Sequence, residues 1–379
     1  MSGADRRVAS LTGIRAVAAT TVVFTHAAYT TGKYGTDYWG LMVSRFEIGV
    51  PIFFVLSGFL LFAPWVRALA GGHPAPSVRR YAWHRVRRIM PAYVVTVLAA
   101  YVLYHFHAIK PNPGHSWVGL LRNLTLTQIY TDNYLFSFLH QGLVQMWSLA
   151  VEVSFYVALP VLAYLLIVIG CRRRWAPNRL LIGIALCALV TPLWLTLVHN
   201  THFLPDGARL WLPSYLLWFA GGMLLAVLAS MGTQVYGFLC VPLALVCFLI
   251  ACTPIAGAPT SSPAELSEAL CKAVLYVAVA GLLVAPLALG NRGWYARVLA
   301  SRPVVFLGEI SYEIFLIHLM VMELVMVKLL HWWLHWFMFT GSALVLFLVT
   351  MVFTVPLSWL LHWATKVRDP TSEQPAAAN

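Results

Sequence analysis

Charge is scarce in this chain, and acidic charge scarcer still. Asp, Glu, Lys and Arg make up 10% of the 379 residues, with 13 acidic side chains against 25 basic ones. Soluble domains carry about 25% charged residues, so this composition excludes an ordinary water-soluble globule, and no nucleic-acid partner is expected. Cysteine is also sparse. Cys171, Cys187, Cys240, Cys247, Cys252 and Cys271 lie in or beside apolar segments without CxxC or CxxH spacing, which argues against disulfides and metal sites; they read as small hydrophobes. No secretory signal peptide is apparent. Arg15 interrupts the first apolar run, which continues at spanning length without a small-residue cleavage pattern. Neither end resembles an appended soluble catalytic module, and the absence of an internal repeat weakens a repeat-built transporter reading.

What the chain does have is apolar length. Hydrophobic residues make up 60% and mean hydropathy is +0.78, the composition of an integral membrane protein. Stretches long enough to span fall at about 12–30, 47–66, 91–108, 142–169, 180–199, 211–230, 236–254, 270–289, 304–330 and 339–363. The expected fold is therefore an all-α integral membrane protein of about ten transmembrane helices. With both termini cytoplasmic, eighteen of the twenty-five Lys and Arg fall on inner loops, tails or flanks and seven on the outer side, the asymmetry that the positive-inside rule selects. One transmembrane domain over 1–365 is expected, followed by a short polar tail over 366–379, ending TSEQPAAAN, read as a disordered cytoplasmic segment.

Ionisable groups inside the spans are few enough to weigh singly. The first segment, LTGIRAVAATTVVFTHAAY, holds Arg15 and His26. Eleven residues at about 100° each return within roughly 20° of whole turns, so both side chains lie on one helix face with about 16 Å of rise between them. A titratable group at such depth costs roughly 2.5 kcal/mol or more and normally faces a protein interior or a wet cavity. A helix-packing His with a snorkelling Arg is the plain alternative.

Four further segments bear on that pair. In GVPIFFVLSGFLLF, Ser57 and Gly58 break an apolar run and permit close helix approach. The basic inner segment RRYAWHRVRRIMPAY puts Arg85 and Arg88 three apart on one helical face, with Pro91 suited to the beginning of the membrane helix. Guanidinium groups bind phosphates bidentately, so this cluster suits either a phosphorylated cytoplasmic donor or lipid headgroups. QMWSLAVEVSFYVALP carries Ser148 and Glu152, and a buried carboxylate needs a partner, whether Arg or His across the bundle or an incoming hydroxyl. In GEISYEIFLIHLMVME, Glu313, His318 and Glu323 are spaced by five, so they do not share a face. His318 either lines a cavity or packs.

Together these segments resemble the membrane-bound acyltransferase 3 family, bacterial O-acyltransferases that modify sugars, glycolipids and macrolides. The resemblance rests on LTGIRAVAATTVVFTH, FFVLSGFLL, RVRRIMPAY, WSLAVEVSFY and ISYEIFLIHL, in the family's order, over roughly residues 9–365. It implies a ten-helix enzyme that takes an acyl group from cytoplasmic acyl-CoA, acetyl-CoA being the expected donor, and places it on a hydroxyl. By position it implies His26 as the catalytic His, with Arg15, Arg85 and Arg88 contacting the CoA. Glu152 and Ser148 match the family's polar positions in the fourth segment, and Ser311, Tyr312 and His318 those of the ninth. Glu152 is taken with His26 as catalytic; Ser148, Ser311, Tyr312 and His318 are assigned to substrate binding. Two departures stand out: Pro51 replaces the acidic residue that many relatives carry before FFVLSG, so any such role is either lost or transferred to Glu47, and Glu313 stands where a small residue is common.

The residues leave two routes open. Neutral His26 either removes the acceptor's proton as general base, contributing about 10²–10⁴-fold, or carries the acyl group itself. The expected acceptor is a hydroxyl of a cell-envelope glycan or glycolipid, with a macrolide or other small molecule as the alternative. The outer segment 109–141, with Trp117, Tyr130, Tyr134, His115 and His140, suits either sugar stacking or an interfacial aromatic belt. The expected setting is the bacterial inner membrane. A secondary transporter of an organic anion and a non-catalytic membrane scaffold are the readings from other classes.

Overall fold

The computed structural model describes residues 3–107, 112–131, 139–201, 203–259, 265–290, 293–330 and 341–366. Among them there are no strands; the fold is all-α. Among the described residues, eight helices are long and apolar enough to cross a membrane. They are α1 (Gly3–Thr30), α2 (Tyr38–Ser44) running through the 3₁₀ turn Arg45–Ile48 into α3 (Gly49–Ala70), α4 (Val78–Phe106), α6 (Met146–Ala163) with its π-helical extension Tyr164–Gly170, α7 (Pro177–Asn200), α8 (Leu216–Ser230) with the 3₁₀ turn before it, α10 (Leu266–Ala288) and α14 (Ala343–Thr365). Shorter helices are α5 (Trp117–Leu124), α9 (Gly237–Ala251), α11 (Trp294–Leu299), α12 (Arg302–Glu309) and α13 (Ser311–Leu324).

Two of the ten apolar stretches therefore differ from a plain spanning helix. The 236–254 stretch forms α9, whose 15 residues rise about 22 Å, short of a hydrocarbon core of about 30 Å. The 304–330 stretch breaks at Ile310 into α12 and α13, followed by the π-helical turn Val325–Leu330. α4 also starts well before Pro91. Ser77 accepts a hydrogen bond from the Arg80 amide, capping a helix that runs on through the basic segment and leaves Pro91 in its interior. The tail beyond Lys366 lies outside the described residues.

α1 runs through the middle, touching α3, α10, α11, α12, α13 and α14. Small residues let backbones meet. Gly58 of α3 stands against the Phe219 carbonyl of α8, and Gly222 of α8 against the Val55 carbonyl of α3, where a Cβ would collide with main chain. This is the close approach that a Gly in a membrane helix serves. Gly308 meets the Thr12 carbonyl in the same way, drawing α12 onto α1. Around the α3–α8 contact, Phe219 stacks between Phe54 and Phe155 at 4.5 and 4.0 Å. One continuous apolar core results, and polar side chains inside it are confined to a few places.

Candidate active site

Seven of the nine residues singled out from the sequence line one cavity of about 890 Å³, counted to its open mouth. α1 contributes Arg15, α4 Arg85 and Arg88, α6 Ser148 and Glu152, and α13 Ser311 and Tyr312. The break at Ile310 matters here, because it brings Glu309, Ser311 and Tyr312 together into the wall. Apolar side chains of α3, from Val50 to Leu61, with Leu149 and Phe315, form the rest.

The polar end is unbalanced in charge. Arg88 is exposed and Arg15 and Arg85 are half-buried. The Arg85 Nε is enclosed without a hydrogen-bond partner. Among the described residues the ion pairs join Lys272 to Glu47 and His362 to Glu313, so no carboxylate stands within ion-pair distance of these three arginines. Glu152 instead accepts from two hydroxyls, Tyr156 at 2.6 Å and Ser57 of α3. A cavity with clustered guanidinium groups and a carboxylate occupied elsewhere is a ready anion site.

Ser148 donates to the Gln145 carbonyl at 3.2 Å and Ser311 to the Gly308 carbonyl at 2.8 Å. The Tyr312 hydroxyl crosses to α4 and donates to the Ile89 carbonyl at 3.0 Å, beside Arg88 in sequence. Glu313, which stands where a small residue is common in the family, is directed to α14: its Oε1 lies 2.9 Å from His362 Nδ1, and it does not line the cavity.

His26 and His318 stand apart from the cavity wall and face each other. His318 is fully buried and its Nε2 lies 3.2 Å from His26 Nδ1, with the ring centroids 5.1 Å apart. Phe315, one turn before His318 and 6.0 Å from its ring, lines the cavity opposite Phe53, 6.4 Å away. The tautomers follow from the partners. His318 Nδ1 faces the Phe315 and Ile314 carbonyls at 2.8 and 3.1 Å, which accept only, so with neutral rings its Nε2 keeps a lone pair. His26 Nδ1 faces that lone pair and the Val22 carbonyl at 2.8 Å, so it carries the proton and leaves Nε2 as the basic nitrogen.

Three groups around this site carried no assignment from the sequence. Tyr156 lies four residues after Glu152, the i,i+4 spacing that brings side chains together on a helix, so its contact was open to reading. Ser57 looked like a packing residue, and its bond to Glu152 needed the α3–α6 approach to be known. Phe53 and Phe315 were two of many aromatics. In the outer segment, Trp117 is 86% exposed, as a belt residue would be, but His140 is 1% exposed, packed against Tyr101, Tyr104 and His115, and does not offer a face to a sugar. Burial brings the His140 imidazole down to about 3, with His115 adding to the effect. Tyr134 lies outside the described residues.

Comparison with known proteins bears on the chain as a whole. A family profile described as an acyltransferase domain matches residues 8–363. The chain is 29% identical over 213 residues to the peptidoglycan O-acetyltransferase OatA of Listeria monocytogenes, a match covering 51% of this chain and 29% of that protein. It is 29% identical over 330 residues to the acyltransferase MdmB of Streptomyces mycarofaciens, covering 84% of this chain and 79% of that protein. The chain thus spans under a third of the first relative and about four fifths of the second. No solved structure matches it.

Proposed function

This chain belongs to the acyltransferase domain family, and on that premise we propose that it is a multi-pass enzyme of a bacterial cell membrane, with both termini cytoplasmic, that moves an acyl group from cytoplasmic acyl-CoA to a hydroxyl of an envelope glycan or glycolipid. Acetyl-CoA is the expected donor. The observation that carries this reading is the convergence of Arg15, Arg85 and Arg88, free of carboxylate partners among the described residues, on one cavity. Phosphates of CoA bind there by charge-assisted hydrogen bonds. The phosphopantetheine arm then follows the apolar α3 wall toward His26, about 16 Å of helix rise from Arg15, a distance of the same order as the extended arm. The likeness to a peptidoglycan O-acetyltransferase supports a glycan acceptor.

In the direct route, His26 Nε2 takes the proton of the acceptor hydroxyl as its oxygen attacks the thioester carbonyl. The C–S bond breaks, and the departing thiolate recovers that proton from the imidazolium, giving an ester and free CoA thiol. In the alternative route, Nε2 attacks the thioester carbonyl and the C–S bond breaks with release of CoA thiolate; the acceptor hydroxyl then attacks the acyl-imidazole, the N–acyl bond breaks to restore His26, and the thiolate takes up the hydroxyl's proton, giving the same ester and free CoA thiol. Both use the same nitrogen. His318 is a positioning residue in either case, because its lone pair helps keep the His26 proton on Nδ1. Glu152, assigned to catalysis from the sequence, lies at the arginine end with two hydroxyl partners, so its proposed role is to orient the donor's polar arm.

Transfer of radiolabel from acetyl-CoA into extractable glycolipid, by membranes containing the wild-type chain or His26→Ala, tests the reading. Label with the wild type alone is expected. Equal label with both, or failure of the wild type to bind CoA, would overturn it.

A further inference from the structure

Glu47 lies outside the machinery described so far, in the 3₁₀ turn Arg45–Ile48 that packs against α1, the helix carrying His26. It stands one turn before Val50 and two before Phe54, on the helix face whose next turns line the arginine cavity, and so marks the far end of that face. The neighbouring Gly49 packs on Ala18, Thr21 and Val22 of α1, and Val22 is the residue whose carbonyl holds the His26 proton.

Its bonding is lopsided. Lys272 Nζ at 2.5 Å and the Tyr276 hydroxyl at 2.8 Å both address Oε1. Arg45, buried two residues earlier, is taken up by the carbonyls of Ala251, Ala256 and Gly257. Oε2 has no partner among the described residues, although 40% of the side chain is accessible. The Tyr276 ring lies 6.0 Å from Trp218, which lies 5.0 Å from Tyr215, a half-buried ring 5.3 Å from Trp147 and 5.9 Å from Phe54, whose hydroxyl is likewise unpartnered among the described residues. An open carboxylate oxygen, a free phenol and the half-buried rings of Tyr215 and Trp147 suit a ring of hydroxyls, which presents donors at its edge and C–H groups on its face.

We propose that Glu47 Oε2 and the Tyr215 hydroxyl form the acceptor subsite, binding a sugar ring by the hydroxyls that flank the one His26 activates. This rests on the acyl-transfer reading above for its direction, but the binding claim stands separately. Lys272 and Tyr276 hold the carboxylate in place and do not touch the ring.

The test uses the full-length chain in nanodiscs, with methyl β-glucoside as the polyol and cyclohexanol as the single-hydroxyl control. Binding is read by tryptophan fluorescence without donor, and transfer is read from labelled acetyl-CoA. Glu47→Gln should raise the Kd and KM for methyl β-glucoside by roughly tenfold to a hundredfold, as loss of a hydrogen bond to a charged group implies, and leave those for cyclohexanol and CoA unchanged. Tyr215→Phe, which keeps the ring, should give a smaller shift of the same kind. Retained CoA affinity and melting temperature certify the fold; if Glu47→Gln loses them, Tyr215→Phe alone decides. Equal glucoside binding by wild type and a folded variant, or no binding by wild type, overturns the subsite. Glu47-dependent binding without acyl transfer would keep the subsite and overturn the transferase reading instead.

Discussion

Replacing His318 separates positioning from chemistry. His318→Phe fills nearly the same volume with an apolar ring but removes the lone pair that faces His26 Nδ1 at 3.2 Å. The Val22 carbonyl at 2.8 Å remains, so the Nδ1 proton loses one of two acceptors. A net hydrogen bond is worth about 0.5–1.5 kcal/mol, which corresponds to a fall of about 2- to 12-fold in the ratio of the reactive tautomer to the other, and sets the upper bound on the fall in kcat. His26→Ala removes the base itself and should cost about 10²–10⁴-fold. The assay is steady-state transfer from labelled acetyl-CoA at saturating acceptor. The expected pattern is a modest loss of kcat, an unchanged KM for acetyl-CoA and partial recovery in His318→Gln, whose amide oxygen can accept. A loss as deep as that of His26→Ala would refute the reasoning, because His318 would then act on the reactants directly. An unchanged kcat would refute it too.

Arg85→Ala and Arg88→Ala should each weaken CoA binding roughly tenfold to a hundredfold, the worth of a charge-assisted bond, in calorimetric titrations; unaltered affinity would remove that residue from the donor site. Gly58→Val drives a side chain into the Phe219 carbonyl and should destabilise by about 1–3 kcal/mol, seen as a lower Tm, whereas Gly281→Ala, which meets open space, should leave Tm unchanged or higher. His140 is neutral when folded because burial brings it to about 3, so between that value and the unfolded value of about 6.5 the unfolded chain binds the extra proton. Stability is therefore complete above about pH 6.5 and falls as pH drops, by up to about 1.4 kcal/mol per unit; melts at pH 7.5 and 5 should show this slope, and His140→Phe should flatten it.

Much of the site was legible along the chain because helices keep spacing. Arg15, Ser148 and Glu152 reached one cavity since each lay in an apolar run whose periodicity fixes a face, and unpaired polar groups in such runs have few places to go; Arg85 and Arg88 joined them because a spacing of three keeps both on one face of the basic segment. What spacing does not contain is the relation between helices. That His318 meets His26 rather than the cavity, that Ser57 rather than an arginine holds Glu152, and that Glu313 turns to His362 all depend on which faces α1, α3, α13 and α14 present to one another. The break at Ile310 was hidden for another reason: hydropathy averages over a window and does not register a lapse of one residue between two short apolar helices.

That lapse gives α13 an angular freedom of its own. A 14-residue helix, cut off from the one before it, can be turned like a dial, and a slip of one residue would swing every side chain by about 100°. Four clamps index it: Tyr312 to the Ile89 carbonyl, Glu313 to His362, Gln145 to the Phe315 and Leu316 carbonyls, and the Tyr104 hydroxyl to Glu323. They pull from α4, from α14 and from the start of α6. The aim of His318 is thus set by torque balance among three neighbouring helices, and damage to any clamp should detune the histidine pair from a distance while the cavity itself stays whole.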